Sequence, residues 1–164
     1  MKHFELIRSG LVRRWHANAD LAHSGETNGH HQWVVASIIL SMHPSPSLVL
    51  LSEALWHDVG ELIAGDLPAP FKDANPEMAT AHAMFELGCR TEICGPGKIS
   101  DLDSKWLSFA DRLAAYLWML TNAPHCRFRR DWIGACDYLI DLSVVLGVSD
   151  VASKLIEDFK EANT

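Results

Sequence analysis

The chain has 164 residues and a mass of 18.2 kDa, a length that suits one domain and leaves little room for a second. Hydrophobic residues make up 48% of it and charged residues 21%, which is the balance of a folded globule and excludes extensive disorder. Acidic residues outnumber Lys plus Arg by 21 to 14, so the basic surface that binds a nucleic-acid polymer is not expected.

Helical periodicity dominates the first half of the chain. An amphipathic helix is predicted over 4–14, followed by a polar loop over 17–29. The apolar segment 33–42 is compatible with a strand or a buried helix, and its length and the preceding loop favour the helix. Ser47 is the predicted N-cap of a third helix over 48–64.

The second half of the chain is also predicted to be helical. The prolines in 65–70 must end the third helix, because proline cannot continue it. Asn75 and Pro76 form the N-cap and first position of the next helix, which ends near 89. Three further helices are predicted over 106–120, 132–146 and 149–161, the last capped by Ser149. The fold class is therefore all-α, a single domain over 1–164 with six or seven helices.

No stretch approaches the roughly 20 apolar residues of a membrane span, so no contact with a membrane is expected. The first residues lack the layout of a secretory signal. Four cysteines at irregular spacings predict reduced thiols, and we expect a cytoplasmic protein. The unusual number is nine histidines, which justifies a search for a metal site.

The first candidate site is His57-Asp58, in an otherwise apolar part of the third helix. An ionised Asp58 there is costly unless it is paired, and a divalent metal accepts both imidazole and carboxylate ligands. The alternative is that Asp58 faces solvent while His57 is a hydrogen-bonded core residue. Glu61 is predicted to share their helical face, where it would position or deprotonate a water. Its alternative is a solvated side chain.

Two more candidates lie elsewhere in the chain. His30 and His31 are adjacent at the start of the second helix. Asp111 interrupts the apolar face of a helix rich in Trp, Leu and Tyr. A buried pair with Arg112 is the alternative for Asp111, although adjacent helical residues face each other poorly. None of these signals is decisive alone.

The order His…His-Asp…Asp resembles the HD-domain metal-dependent phosphohydrolases. The resemblance is closer to their nucleotide-hydrolysing branch, the bacterial 5′-deoxynucleotidases and phage dATP triphosphohydrolases. Five segments carry it in order: Arg14-Trp15, Glu26 to His31, Leu55 to Glu61, Gly65 to Lys72, and Ala110 to Leu113. The match runs from about Arg14 to Tyr116 and is specific because all five segments are present.

The resemblance implies an HD-domain helical bundle and a metal site. The implied ligands are His31, His57, Asp58 and Asp111. His31 is preferred to His30 because it keeps the following apolar residues in register. Zinc, cobalt and manganese all tolerate such mixed ligands, and magnesium is a candidate for a second, phosphate-bound site.

The resemblance also implies roles around the metal. Glu61 orients or deprotonates the attacking water, and Asp66 assists the leaving 5′-oxygen or holds the sugar 3′-hydroxyl. Arg14 and Lys72 bind phosphate. Trp15 stacks on or crowds the sugar and base, with core packing as its alternative. Ser108 replaces a lysine that is frequent in the relatives, which removes one phosphate contact.

The function implied is hydrolysis of a small deoxynucleotide at the bond between the 5′-oxygen and the α-phosphorus. The preferred substrate is dATP, giving deoxyadenosine and triphosphate, with dADP and dAMP also accepted. Such an enzyme would be phage-encoded and act in the host cytoplasm. The relatives are dimers or hexamers, so a homo-oligomer is expected. The alternatives are a general 5′-deoxynucleotidase acting on monophosphates, a cyclic-nucleotide phosphodiesterase, and a non-enzymatic nucleotide sensor.

Overall fold

A computed structural model describes residues 1–163. Within these residues the regular structure is helical, apart from one isolated antiparallel bridge between Arg13 and Thr27, so the all-α prediction is confirmed. The helices are α1 (His3–Ser9), α2 (Asn28–Met42), α3 (Leu48–Trp56), α4 (Glu61–Ala64), α5 (Ala69–Ala74), α6 (Pro76–Cys94), α7 (Asp101–Asn122), a 3-10 helix (Pro124–Phe128), α8 (Arg130–Leu146) and α9 (Ser149–Ala162).

The chain divides into two compact units. The first contains Met1–Trp33 and Leu55–Lys98, and the second contains Val34–Ala54 and the chain from Ile99 onward. The single domain over 1–164 therefore stays a prediction. None of the helices within residues 1–163 has the length and apolar character that a membrane crossing requires.

Each unit has its own packing. In the first, α6 packs against α1, α4 and α5, and the Lys2 backbone N–H donates to the Ile93 carbonyl at 2.8 Å. In the second, α7, α8 and α9 pack against one another. Their buried side chains include Phe109, Leu113, Leu139 and Ile156. Burial of apolar side chains on these helices supplies the main stabilising term.

The first helix is shorter than predicted, because it ends at Ser9 and not near position 14. The backbone beyond it pairs with the residues that open α2: Gly29 N–H donates to Gly10 O at 3.0 Å, and Asn28 N–H donates to Val12 O at 2.9 Å. A Cβ on Gly29 would lie 3.0 Å from that Gly10 oxygen, so the close approach favours glycine. Arg14 consequently lies in an irregular segment.

The predicted continuous helix over 48–64 is wrong. α3 ends at Trp56 and α4 begins at Glu61, with a turn between them. Bonds of the i to i−3 type tighten this turn, including Val59 N–H to Trp56 O at 3.2 Å. Arg90 Nε also donates to Trp56 O at 3.2 Å, which satisfies a carbonyl at the end of α3. His57 and Asp58 therefore lie in a turn and do not share a helical face with Glu61.

Other boundaries also differ: α6 ends at Cys94 and not near 89, and α7 begins at Asp101 and not at 106. Ser47 caps α3 as predicted, since its Oγ accepts from Leu50 N–H at 3.0 Å. Pro76 is the first residue of α6, as predicted. Ser149 is wrong as an N-cap, because it is already the first residue of α9. The helices exceed the predicted six or seven because α4 and α5 are short separate elements, of 4 and 6 residues.

Gly60→Ala tests the tight packing beneath the turn. Gly60 has an ordinary helical φ of −60°, but a Cβ there would overlap the Glu86 backbone oxygen and lie 2.8 Å from Glu86 Cγ. We expect destabilisation of about 1–3 kcal/mol, the usual cost of overpacking. Gly88→Ala is the control, because a Cβ there meets nothing within 4 Å, and α6 should become more stable. Equal melting temperatures for both variants would contradict this packing.

Candidate active site

The first unit brings together His31 of α2 with His57 and Asp58 of the turn after α3. His31 is completely buried and the other two are partly buried. His57 Nε2 lies 3.3 Å from Asp58 Oδ2, and His31 Nε2 lies 3.8 Å from the same oxygen. The side chain of His30 is 45% exposed, so the structure favours His31 as the inward-facing member of the doubled histidine.

The chemistry of this cluster suits a divalent metal. One ligand atom from each of the three residues lies within 4.8 Å of the other two. Bonds to a transition-metal ion are about 2 Å long, so atoms that share an ion must cluster in this way. Two imidazoles and a carboxylate are a donor set that zinc, cobalt and manganese accept. The residues present therefore fit the ion that the sequence predicted.

Asp111 belongs to the second unit, where it is half-buried in the middle of α7. The alternative of a pair with Arg112 gains little support, because the Arg112 guanidinium lies 4.3 Å from the centre of the Tyr138 ring. Ser108, which replaces the expected lysine, has its Oγ 3.3 Å from the Tyr138 hydroxyl. Asp111 stays a prediction as the fourth ligand.

Glu61 is buried at the start of α4 and is held by an amide. Asn28 Nδ2 donates to Glu61 Oε2 at 2.8 Å, and the same nitrogen lies 3.3 Å from the Asp58 carbonyl oxygen. Burial, with the nearby charges of Asp58 and Asp66, raises the pKa of Glu61 to about 8. A carboxylate tuned towards neutral pH is suited to general acid–base catalysis. The solvated alternative for Glu61 is wrong.

Glu86 of α6 is a further site residue that sequence reasoning missed. Its carboxylate oxygen lies within 4.8 Å of those of Asp58 and Glu61. Burial and the charge of Asp58 raise the pKa of Glu86 above its ordinary value. His82 Nδ1 lies 3.8 Å from Glu86 Oε2. The sequence signal that could have found Glu86 is its position four residues after His82 on the same helix. A glutamate on a polar helix does not by itself indicate a site.

Two further predicted residues, the phosphate ligand Lys72 and the catalytic candidate Asp66, lie close enough to Glu86 for their charges to act on it. Lys72 of α5 is exposed, and its Nζ lies 3.8 Å from Asp66 Oδ1. Asp66 follows Gly65, whose φ of +73° belongs to the left-handed region and ends α4 sharply. The charge of Asp66 acts on Glu61, which places both residues in one electrostatic environment.

Arg14 and Trp15 lie on the irregular segment after α1. Arg14 Nη1 donates to Asp58 Oδ2 at 2.5 Å, so the guanidinium already faces the cluster. Trp15 has a positive φ of 62°, which is rare for a residue that is not glycine. Its indole Nε1–H donates to Glu26 Oε2 at 2.5 Å. Trp15 is only partly buried, which argues against core packing as its main role.

The helical fold, with buried His31 and Glu61 beside the partly buried His57-Asp58 pair, fits an HD-domain phosphohydrolase, a class of metal-dependent hydrolases. The chain belongs to the 5′-deoxynucleotidase YfbR-like family, which it matches over residues 4–96, more than half of its length. That range includes all the site residues of the first unit but not Asp111. Comparison with curated proteins and with solved structures gave no match.

Glu61→Gln tests the electrostatic cost of the site in the metal-free protein. Because the pKa of Glu61 is raised to about 8 from 4.5, folding favours the protonated form. The stability of the wild type should fall as pH rises from about 4.5 to about 8, and the loss is complete above that window. Glutamine removes this loss, so the variant should melt several degrees above the wild type at pH 9 and close to it at pH 5.

The measurement is a thermal melt in chelator across this pH range. Glu92→Gln is the control, because Glu92 is exposed and its carboxylate forms a surface ion pair with Lys2. A gap between Glu61→Gln and wild type that does not grow with pH would contradict a buried, proton-holding Glu61.

Proposed function

We propose that the chain hydrolyses deoxynucleotides between the 5′-oxygen and the α-phosphorus, with dATP as the preferred substrate. Deoxyadenosine and triphosphate are the products, and dADP and dAMP are also accepted. The observation that supports the reaction class is the cluster of buried His31 with partly buried His57 and Asp58, beside Glu61, in a member of a 5′-deoxynucleotidase family. The preference for dATP rests on resemblance to the phage enzymes, in the short turn 43–47 and the doubled histidine.

In this proposal His31, His57, Asp58 and Asp111 hold one divalent ion, zinc, cobalt or manganese. Bound there, such an ion polarises a phosphoryl oxygen and lowers the pKa of water towards neutrality. A magnesium ion that arrives with the phosphates is a second proposed cation, because triphosphates usually carry one.

Glu61 is the proposed general base. Its carboxylate accepts a proton from the attacking water while the water oxygen bonds to the α-phosphorus and the bond to the 5′-oxygen breaks. Asn28 keeps one Glu61 oxygen in place through the 2.8 Å hydrogen bond, so the other oxygen is left to the water. Asp66 is proposed to protonate the departing 5′-oxygen or to hold the sugar 3′-hydroxyl.

Arg14 and Lys72 are the proposed phosphate ligands. The planar guanidinium of Arg14 can hold two phosphoryl oxygens, while Lys72 supplies a mobile point charge from an exposed position. Trp15, next to Arg14, is proposed to lie against the sugar and base. Arg127, Arg129 or Arg130 of a neighbouring copy would supply the charge that Ser108 does not, in a homodimer or hexamer located in the host cytoplasm.

A general 5′-deoxynucleotidase is the second candidate, favoured by Ser108 and by the description of the family. Ser108 lacks the positive charge that the β- and γ-phosphates of a triphosphate would require. The sensor alternative is disfavoured because the family is one of hydrolases. The Gly65 to Pro70 loop argues against a cyclic-nucleotide phosphodiesterase.

A product panel distinguishes the candidates. Deoxy- and ribonucleoside mono-, di- and triphosphates of all bases are incubated with the metal-loaded protein, and the products are separated by chromatography. Deoxyadenosine with intact triphosphate from dATP is the expected result. Hydrolysis confined to monophosphates of every base would overturn the dATP preference and leave the general 5′-deoxynucleotidase.

His57→Ala and Asp111→Ala test the ligand set. Each should abolish hydrolysis and lower the bound metal, while the helical circular dichroism survives, because the apolar helix faces pack without the ion. His23→Ala is the control, since His23 is exposed in the loop before α2. Loss of metal with retained turnover in either variant would contradict the ligand assignment.

A further inference from the structure

Glu26, just before α2, is a buried carboxylate to which the site gives no role so far. Its side chain is 1% exposed. A buried carboxylate is tolerated only where donors or cations surround it. The backbone of Glu26 is also fixed, because its carbonyl accepts from Arg14 N–H at 3.0 Å. The backbone that carries this side chain is therefore anchored to the segment that carries Arg14.

The two carboxylate oxygens of Glu26 face different partners. Oε2 accepts from Trp15 Nε1 at 2.5 Å and lies 3.5 Å from Arg14 Nε. Oε1 lies 3.6 Å from His30 Nδ1 and 3.8 Å from His31 Nδ1. Trp15 and Arg14 present only donors on the Oε2 side, so an acceptor oxygen is required there.

The orientation of His31 explains why Oε1 matters. Its Nε2 faces Asp58 Oδ2 at 3.8 Å, on the side of the candidate metal, while its Nδ1 faces Glu26. A neutral imidazole carries its proton on one nitrogen and a lone pair on the other. A negative oxygen on the Nδ1 side favours the proton there, which leaves the Nε2 lone pair for the metal.

We propose that Glu26 is a positioning residue that holds His31 in its metal-binding tautomer and is itself held by Trp15 and Arg14. The residue thereby links the metal ligand to the two side chains proposed to bind phosphate and sugar. This inference rests on the proposed metal site, and it concerns the protonation of His31 before any nucleotide binds.

Glu26→Gln is the sharpest variant because an amide has one acceptor and one donor end. Trp15 Nε1–H and Arg14 both require an acceptor, so the amide oxygen must turn towards them. The NH2 group then faces His31 Nδ1, where it favours a lone pair and moves the proton to Nε2. The size of the side chain is unchanged, but the metal-binding nitrogen of His31 is blocked.

The first measurement is the tautomer of His31 in the metal-free wild type. Long-range ¹H–¹⁵N spectra are recorded at a pH above the usual titration range of imidazole, and His31→Gln assigns the signal. We expect the proton on Nδ1 in the wild type and on Nε2 in Glu26→Gln. A wild-type proton on Nε2 would overturn the proposal even if the variant did not fold.

The second measurement is the affinity of the protein for Zn²⁺ and Co²⁺ without nucleotide, by competition with a chromophoric chelator. Glu26→Gln should weaken binding by about 10- to 100-fold, the usual effect of losing a partner behind a metal ligand. Glu53→Gln is the matched control, because Glu53 is also a buried glutamate but is not in the His31, His57 and Asp58 cluster. Its affinity should stay within about threefold of the wild type.

Wild-type affinity in Glu26→Gln, or an equal loss in Glu53→Gln, would overturn the positioning role while leaving the proposed function intact. A wild type that binds neither metal would instead overturn the metal site and this inference together. The two failures are therefore distinguishable without an activity assay.

Discussion

The close packing of α6 against the turn after α3 is the constraint on which the site depends. Gly60 leaves no room for a side chain above the Glu86 backbone, so the two segments touch where any larger residue would hold them apart. This contact brings Glu86 towards Asp58 and Glu61. It also fixes the turn that points His57 and Asp58 inward. A backbone contact thus determines the electrostatics of the side chains around it.

The site that results is costly to fold. Burial, and after it the charge of Asp58, raises the pKa of both Glu61 and Glu86. Arg14 offsets part of this cost through its bond to Asp58. A divalent cation would offset more of it, because it adds positive charge where the carboxylates crowd. Folding therefore gives up stability at the carboxylates beside the proposed cation, whose charge would restore part of it.

The sequence predicted the features that depend on local pattern and composition. Helical periodicity indicates the all-α class and the cap at Ser47. Charges in apolar surroundings indicate His57 and Asp58 as candidate site residues. The break between α3 and α4 could not be predicted, since the segment has helical periodicity and the side chain that satisfies the Trp56 carbonyl, Arg90, lies on α6, far away in the sequence. Glu86 was missed for the same reason, because its environment is created by packing. The positions of Lys72 and Asp66 came from the family resemblance, and Asp111 still rests on it.

Trp15 shows how a side chain proposed to face the substrate limits the substitutions that can be used to stabilise the protein. Its left-handed backbone, with φ of 62°, costs of order 1–3 kcal/mol in a residue other than glycine, and its bond to Glu26 helps to maintain it. Glycine or asparagine at this position would relieve the strain. Selection for heat tolerance alone would therefore weigh this relief against the loss of a donor to the buried Glu26, and it would give no weight to the indole ring as a substrate contact, so position 15 needs a separate selection for function.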